Sequence, residues 1–513
     1  MPYVVEAISN SLVKPLVWLF FVFALYCPAS YSNGWEHTSI DFEVLVSALH
    51  DANPNLRRRA AESLGFRPQA GATDALLARL EKNEPVARVR QEIFNALGRI
   101  GEESALGAFD DCLTNEAAIA VRMQCATALG NYNSPAAEQL ALKSVEDENL
   151  QVRLRTVASL GSFSSTNTVQ TLIALARDKE DPIKNTALLS LGRTGSATAT
   201  PILVELLQRS KNREQTQVLL RALTFLADPD AIEVIQATYE RGEDEDVRRH
   251  ALVAIASTRA KGSESYFLDA LSSEDYATRI LGLAVLRNFG SPEQVPAITE
   301  HALIESSELF DQDSKQLLSD PLRTIANLRL LNEYLKTIVR LDPGAGERLY
   351  VKVLLPRSIP RSSSVALKIA EGFYDARWQS IYGLGYTATN RAAGLVEANL
   401  KDSDARIRAV AIRSMGVLGG SDNNESIEKM LFDPAAEVRW MAARVLGRLN
   451  AMGSVDAILA SLNDSHVQVR LESAIALGYL HARSAQQKLR ELAASDPDPR
   501  VKEAAVYAAS LIE

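Results

Sequence analysis

The sequence predicts an all-α solenoid of about fourteen stacked antiparallel helix pairs forming a curved superhelix, preceded by an N-terminal signal segment. Three observations carry that prediction. One stretch recurs, most clearly as Asp433 to Gly447 (DPAAEVRWMAARVLG) and Asp464 to Gly478 (DSHVQVRLESAIALG). Its copies follow one another at nearly constant spacing. Within each copy the apolar residues fall at helical intervals.

Taking the Val of each Val-Arg pair as position zero, positions zero, +4, +7 and +8 share one helix face. In the copy at Val469 these are Val469, Ser473, Ala476 and Leu477. Small residues there let neighbouring helices approach closely. The acidic residue at −5 is placed to cap the incoming helix and favour its positive end, and Pro434 and Pro497 suit a first-turn site that needs no N–H. Gly at +9 is expected to stop the helix.

The terminal position of the template runs through Gly65, Gly98, Gly130, Gly161 and Gly192. Weaker copies follow at Ala227, Ala256 and Arg287, then Gly385, Gly416, Gly447, Gly478 and Ser510. Spacings are 33, 32, 31, 31, 35, 29 and 31, then a leap of 98, then 31, 31, 31 and 32. The leap is about three periods, which reads as an array continuing through a degraded zone. One helix pair cannot bury its apolar face alone, so each repeat must lean on its neighbours.

The Asp-to-Arg spacing and the Val-Arg-x-x-Ala-x-x-Ala-Leu-Gly core resemble HEAT repeats, in particular the HEAT-like repeats named after phycobilisome lyases. The resemblance covers nearly everything after residue 38. It implies that the Val-Arg helix is the second of each pair and lines a concave face. It also implies a hydrogen-bonded ladder between repeats, with Asp51, Glu84, Glu116, Asp147, Asp178, Asp402, Asp433, Asp464 and Asp496 at the acidic site. Arg57, Arg90, Arg122, Arg153, Lys184, Arg408, Arg439, Arg470 and Lys502 occupy the basic one. These are scaffold residues. A phosphate-binding stripe is disfavoured because each base travels with its own acid.

The organisation that follows is a signal peptide or membrane anchor at 1–34, repeats at 38–300, a divergent repeat or insertion at 301–364, and further repeats at 365–513. The chain of 513 residues is 47% hydrophobic but only 6% aromatic, which suits Ala- and Leu-filled helix contacts. Its net charge of −9 argues against a nucleic-acid partner, for which a basic stripe is expected.

Leu16 to Tyr26 form an apolar run followed by small residues, as in a secretory signal cleaved after about Ser32. The lead of Met1 to Val13 contains Glu6 where a positive start is usual, so initiation at Val13 is an alternative. Periplasmic or envelope localisation is expected, with an N-terminal membrane anchor as the second reading. Export would permit a disulfide between Cys112 and Cys125 across one helical hairpin; two small core residues are the other reading.

The first helix is expected at Ile40–His50, and a long one from Lys315 to Arg340. Ser134-Pro135, Asp228-Pro229 and Ser291-Pro292-Glu293-Gln294 read as caps with prolines at N1. The six histidines show neither metal-site spacing nor a His-Glu pair of the kind that holds iron in HEAT-like deoxyhypusine hydroxylases. Gly383-x-Gly385-x-x-Ala388 has no strand before it, which argues against a dinucleotide loop. No catalytic residue, metal or cofactor is expected.

Positions +2 and +6 lie about 200° and 240° round the helix and should be polar, as Arg58/Glu62 and Gln91/Asn95 are. In the C-terminal repeats they are Trp378/Tyr382, Ala409/Arg413, Trp440/Arg444, Leu471/Ile475 and Glu503/Tyr507. Aromatic and Arg residues are favoured at interface hot spots. Trp378, Tyr382, Arg413, Trp440, Arg444, Leu471, Ile475 and Tyr507 are therefore the candidate partner-binding residues; filling of a narrow groove or packing under the central insertion is the competing reading. The sequence thus predicts a non-enzymatic scaffold that holds a protein segment, with a lyase-like or cofactor-handling enzyme as the alternative.

Overall fold

Val, Leu and Ala at the template positions build helices throughout, and no strand forms among the described residues. The computed structural model describes residues 42–512 except 67, 243, 313, 355–362, 388 and 421–422. The signal segment and both candidate start sites lie outside those residues. Among the described residues no helix is long and apolar enough to cross a membrane.

The chain divides after Ser263 into two compact units. In the first, short outer helices alternate with the inner helices Pro54–Phe66, Ala87–Ile100, Ile119–Leu129, Leu150–Leu160, Asp181–Arg193, Arg213–Leu226 and Glu245–Thr258. In the second the inner helices are Tyr276–Phe289, Pro321–Leu341, Ser364–Leu384, Ala405–Leu418, Ala436–Arg448, Val467–Tyr479 and Pro499–Ile512. Within each unit every inner helix packs on the inner helices before and after it. Paired helices of this kind are the solenoid the periodicity predicts.

The buried face is wider than the sequence pattern indicated. Val89, Ile93, Ala96 and Leu97 are buried as expected, but so is +5: Phe94, Ala443 and Ala474 are at most 4% exposed. Each inner helix is covered on two flanks, so a broader stripe must be apolar. Leu56, at zero in the first inner helix, and Val506, at +5 in the last, are 43% and 60% exposed. The zero side therefore meets the preceding repeat, and the +5 side the following one.

Of the glycines at +9, Gly130, Gly161 and Gly385 do follow directly on the last helical residue, but the other six do not stop their helices. Gly65, Gly98, Gly192, Gly416, Gly447 and Gly478 lie within them, and the positive-φ glycines are others. Their role is close approach: a Cβ on Gly447 would sit 2.8 Å from the Cα of Ala476, and one on Gly478 2.8 Å from the Cα of Ala508. The +9 glycine of one repeat thus receives the +7 residue of the next. Gly192 receives Ala222, which places the terminal position of that repeat at Thr224. The copy marked at Ala227 was three residues out of register: Ala227 lies beyond its helix at φ 54°.

The acids at −5 do not cap helices directly either. The residue at the cap is at −3, where Asn149, Asn212, Asp244, Asp275, Asp404 and His466 each accept an N–H from the first turn. The −5 carboxylate instead grips the loop and the preceding repeat. Asp464 accepts the His466 N–H at 2.8 Å and a two-pronged contact from Arg439, Nε at 2.7 Å and Nη2 at 2.9 Å. Arg439 also donates to the carbonyls of Asp433 and Pro434. Arg408–Asp433, Arg470–Asp496, Arg57–Glu84 and Arg90–Glu116 repeat the arrangement at 2.7 Å. Burial pushes the Glu84 carboxyl up, but hydrogen bonds from Arg57, the Val86 N–H and Arg79 outweigh it and hold it at about 2.

The ladder is interrupted in the middle of the chain. Arg153 pairs with Glu180 rather than Asp178, and Lys184 with Asp181 in its own first turn. In the next repeat the −5 and +1 positions are both hydroxyls, Ser210 and Thr216, which lie 2.8 Å apart within that repeat. Charged pairing with a following acid returns at Arg279–Glu305, 3.8 Å apart, and again at Arg377–Asp402.

The leap of 98 residues spans two steps, not three, since Pro321–Leu341 is the one inner helix between Tyr276–Phe289 and Ser364–Leu384. The long helix expected from Lys315 is broken at Asp320. Pro321 disfavours helical backbone in the residue before it, and the Asp320 side chain caps the new start by accepting the Arg323 N–H. Gly383 makes room for the buried ring of Tyr350, and Gly385 for Ser414, which accounts for the pair without any nucleotide.

Cys112 and Cys125 form a disulfide between the two helices of the third repeat, and both are buried. The predicted turns form as expected: Ser134 and Asp228 cap their helices with prolines at N1, and Ser291 with Gln294 makes a capping box.

Candidate functional site

The +2 and +6 positions project from the inner helices on the side away from the core, and the two units differ there. In the first two inner helices of the first unit this face is polar and closed on itself, whereas the later ones carry Met123, Leu154, Leu189 and Val253 among polar residues at the same positions. Arg58 pairs with Glu62 at 3.3 Å, Asn95 donates to Glu92 at 2.9 Å, and Gln124 donates to Asn95 at 3.3 Å. Arg58, Glu92, Asn95 and Gln124 line an open groove of about 390 Å³.

In the second unit the same face is aromatic and cationic. Trp378 and Tyr382, one turn apart on Ser364–Leu384, stack with ring centroids 5.7 Å apart. Tyr382 also meets Tyr386, at 5.3 Å between centroids and with the hydroxyls 3.0 Å apart. From the next repeat the Arg413 guanidinium lies 4.7 Å over the Tyr382 ring. In the following repeat Arg444 lies 4.8 Å over Trp440. Cation–π contacts of this kind hold an arginine upright at little cost in hydration. Leu471 and Ile475 continue the row half-buried, and Tyr507 ends it 50% exposed.

The structure therefore brings Trp378, Tyr382 and Arg413 into one contact group and Trp440 with Arg444 into a second. Leu471, Ile475 and Tyr507 continue the same face. Both tryptophans are half-buried, partly covered by their own stacking neighbours. Asp433, Arg439, Asp464 and Arg470 lie at the loop ends of the helices, in the ladder.

Two features escaped the sequence reading. Glu472, at +3, is 4% exposed and accepts Arg444 Nε at 3.0 Å and Gln468 Nε2 at 3.0 Å. That hydrogen bond raises the Arg444 guanidinium further above its ordinary range. The second feature is the row at +10, one turn beyond +6. There Tyr386, Val417 and Tyr479 are 40%, 43% and 49% exposed, with exposed Arg448 between the last two. Extending the template by one turn would have found it.

Among the described residues no three His, Cys, Asp or Glu side chains gather as a metal-binding group. The face offers stacking surfaces, aliphatic patches and guanidinium groups, which is binding chemistry.

Stacked helix pairs joined by an Asp–Arg ladder define an α-solenoid repeat protein. The HEAT repeat model matches residues 42–130, 111–189, 137–224 and 424–510, more than half of the chain, and the chain belongs to that family. Its fold is similar to that of Kap95p in complex with RanGDP, with 11% identity and a TM-score of 0.52 over 92% of this chain and 76% of that one. The phycocyanin lyase complex of CpcE and CpcF from Nostoc sp. is 16% identical over 68% of this chain and 100% of that chain. Its TM-score is 0.24. A deoxyhypusine hydroxylase of Debaryomyces hansenii is 25% identical over 127 residues, 24% of this chain and 40% of that enzyme. The matched stretch thus spans less than half of that relative's length.

Proposed function

We propose that the chain is a non-enzymatic interaction scaffold that works in the cell envelope and holds an extended segment of a partner protein on the inner-helix face of its second unit. The carrying observation is the row of half-buried and exposed aromatic, aliphatic and arginine side chains from Trp378 to Tyr507, at positions that in the first two repeats are polar and self-paired. Exposed apolar surface of this kind marks contact sites on soluble proteins. The complex of Kap95p with RanGDP, of the same fold, is one in which a helical solenoid binds a protein.

Export is supported by the apolar leader sequence and by the Cys112–Cys125 disulfide, a bond that persists in oxidising compartments. The hydroxylase likeness supports an enzymatic alternative. Against it stands the sequence, which carries no His-Glu pair.

The double substitution Trp378→Ala and Trp440→Ala tests the assignment, with circular dichroism to check the fold. Loss of partner capture from envelope extract is expected. Unchanged capture would refute the site.

A further inference from the structure

Resting on that reading of the face, we infer that the segment it takes is acidic, with two carboxylates about three residues apart in an extended chain and apolar side chains beyond them.

The charges on the face are unbalanced in a specific place. Arg444 is neutralised by Glu472. Arg413 is exposed and stacks on Tyr382, and Arg448 is exposed one repeat further on; among the described residues neither meets a carboxylate. A guanidinium held on an aromatic ring presents its N–H edge outward, where a carboxylate can take it with two parallel hydrogen bonds.

The spacing fixes the ligand's period. Arg413 and Arg448 sit on adjacent inner helices at +6 and +10. Helix axes packed at roughly 8–10 Å and an offset of one turn, about 5.4 Å, put the two sites roughly 10 Å apart. Extended chain rises about 3.3 Å per residue, so roughly three residues cover that distance. A helix would need about seven at 1.5 Å each.

Polarity along the face fixes the orientation of the apolar part. Past Arg448 come Leu471, Ile475 and exposed Tyr479, then the carboxylate of exposed Glu503. Acidic residues are repelled from that end, so the apolar residues of the segment lie over Leu471, Ile475 and Tyr479.

Three labelled peptides of about ten residues test this by fluorescence anisotropy with the purified full chain. They share flanking Leu and Phe and carry two Glu, two Gln or two Lys three residues apart. The Glu peptide should bind at least roughly tenfold tighter than the Gln peptide, with Lys weakest. The gap should narrow as salt rises from roughly 0.05 to 0.5 M. Reversing both charges, Arg413→Glu with Arg448→Glu, should invert the order, with circular dichroism reporting the fold.

Equal binding of the Glu and Gln peptides, an order that survives the charge reversal, or binding of none of the three overturns the inference. If the two Trp→Ala substitutions release peptides that the Glu and Gln forms bind equally well, the face stands as a docking site and only its charge preference falls.

Discussion

Replacing Arg439 by Ala removes one rung of the ladder and leaves its neighbours in place. Arg439 and Asp464 are 15% and 13% exposed at their side chains, and the guanidinium makes two contacts to the carboxylate and two to carbonyls of the preceding loop. The substitution leaves Asp464 with the His466 N–H and strips the loop carbonyls of a donor. A charge-assisted pair of this kind contributes about 1.5–3 kcal/mol, and partial wetting favours the middle of that range.

About 2 kcal/mol corresponds to roughly 30-fold faster amide exchange wherever opening requires the rung to break. Repeat arrays open locally, so native-state hydrogen exchange across Ala436–Arg448 and Val467–Tyr479 is a sharper assay than a single melting curve. Arg439→Lys keeps the charge and loses the fork, and should fall in between. Arg209→Ala is the control: its pair with Glu205 is 76% and 43% exposed and should be worth about 0.5 kcal/mol or less. If Arg439→Ala changes local exchange no more than Arg209→Ala does, the ladder is an ornament of the surface and the argument fails.

Glycine substitution should give opposite signs at two places. Gly478→Ala forces a Cβ to within 2.8 Å of the Ala508 backbone and should cost about 1–3 kcal/mol, less the helix gain of about 1, whereas Gly107→Ala, in the helix Leu106–Asn115, meets nothing within 4 Å and should stabilise by about 0.5–1 kcal/mol in thermal melts. The depressed Glu84 carboxyl contributes stability that is complete above its unfolded value near 4.5 and is lost as pH falls toward about 2. An acid titration of the wild type and Glu84→Gln should therefore converge at the low end of that window; a constant gap across it would refute the assignment. Reducing the Cys112–Cys125 bond, which closes a separation of 13 residues, should destabilise the third repeat by about 3 kcal/mol, read as faster exchange in Leu106–Asn115 and Ile119–Leu129.

The repeat, its phase and the acid–base pairs were legible because side-chain spacing on a helix is fixed by geometry. What the spacing did not reveal was which neighbour each residue answers to. Gly447 looks like a helix stop in one dimension, and only the approach of Ala476 shows why a side chain is excluded. Asp464 sits where a cap belongs in a linear reading, yet its partners are an N–H two residues on and an arginine 25 residues earlier. The register slip at Ala227 has the same origin: Leu219, Leu220, Ala222, Leu223 and Leu226 make a run so evenly apolar that two alignments fit, and Gly192 alone selects one.

The aromatic members of the candidate face were visible as polar positions wrongly filled. Tyr386, Val417, Arg448 and Tyr479 were not, since the template stopped at its glycine, whereas the last three lie in helices that run on past it and Tyr386 in the turn that follows. Glu472 was hidden because a buried acid on an outward face has meaning only beside Arg444.

The glycine-to-small-residue seam gives each module a matched front and back. Cutting out residues 433–463, one period, would bring Asp464 against Arg408 and Ala476 against Gly416, so the wound closes on the same fittings it opened. A chain built this way can be shortened or lengthened by whole units without redesigning a core, and its reach along a partner becomes a matter of counting.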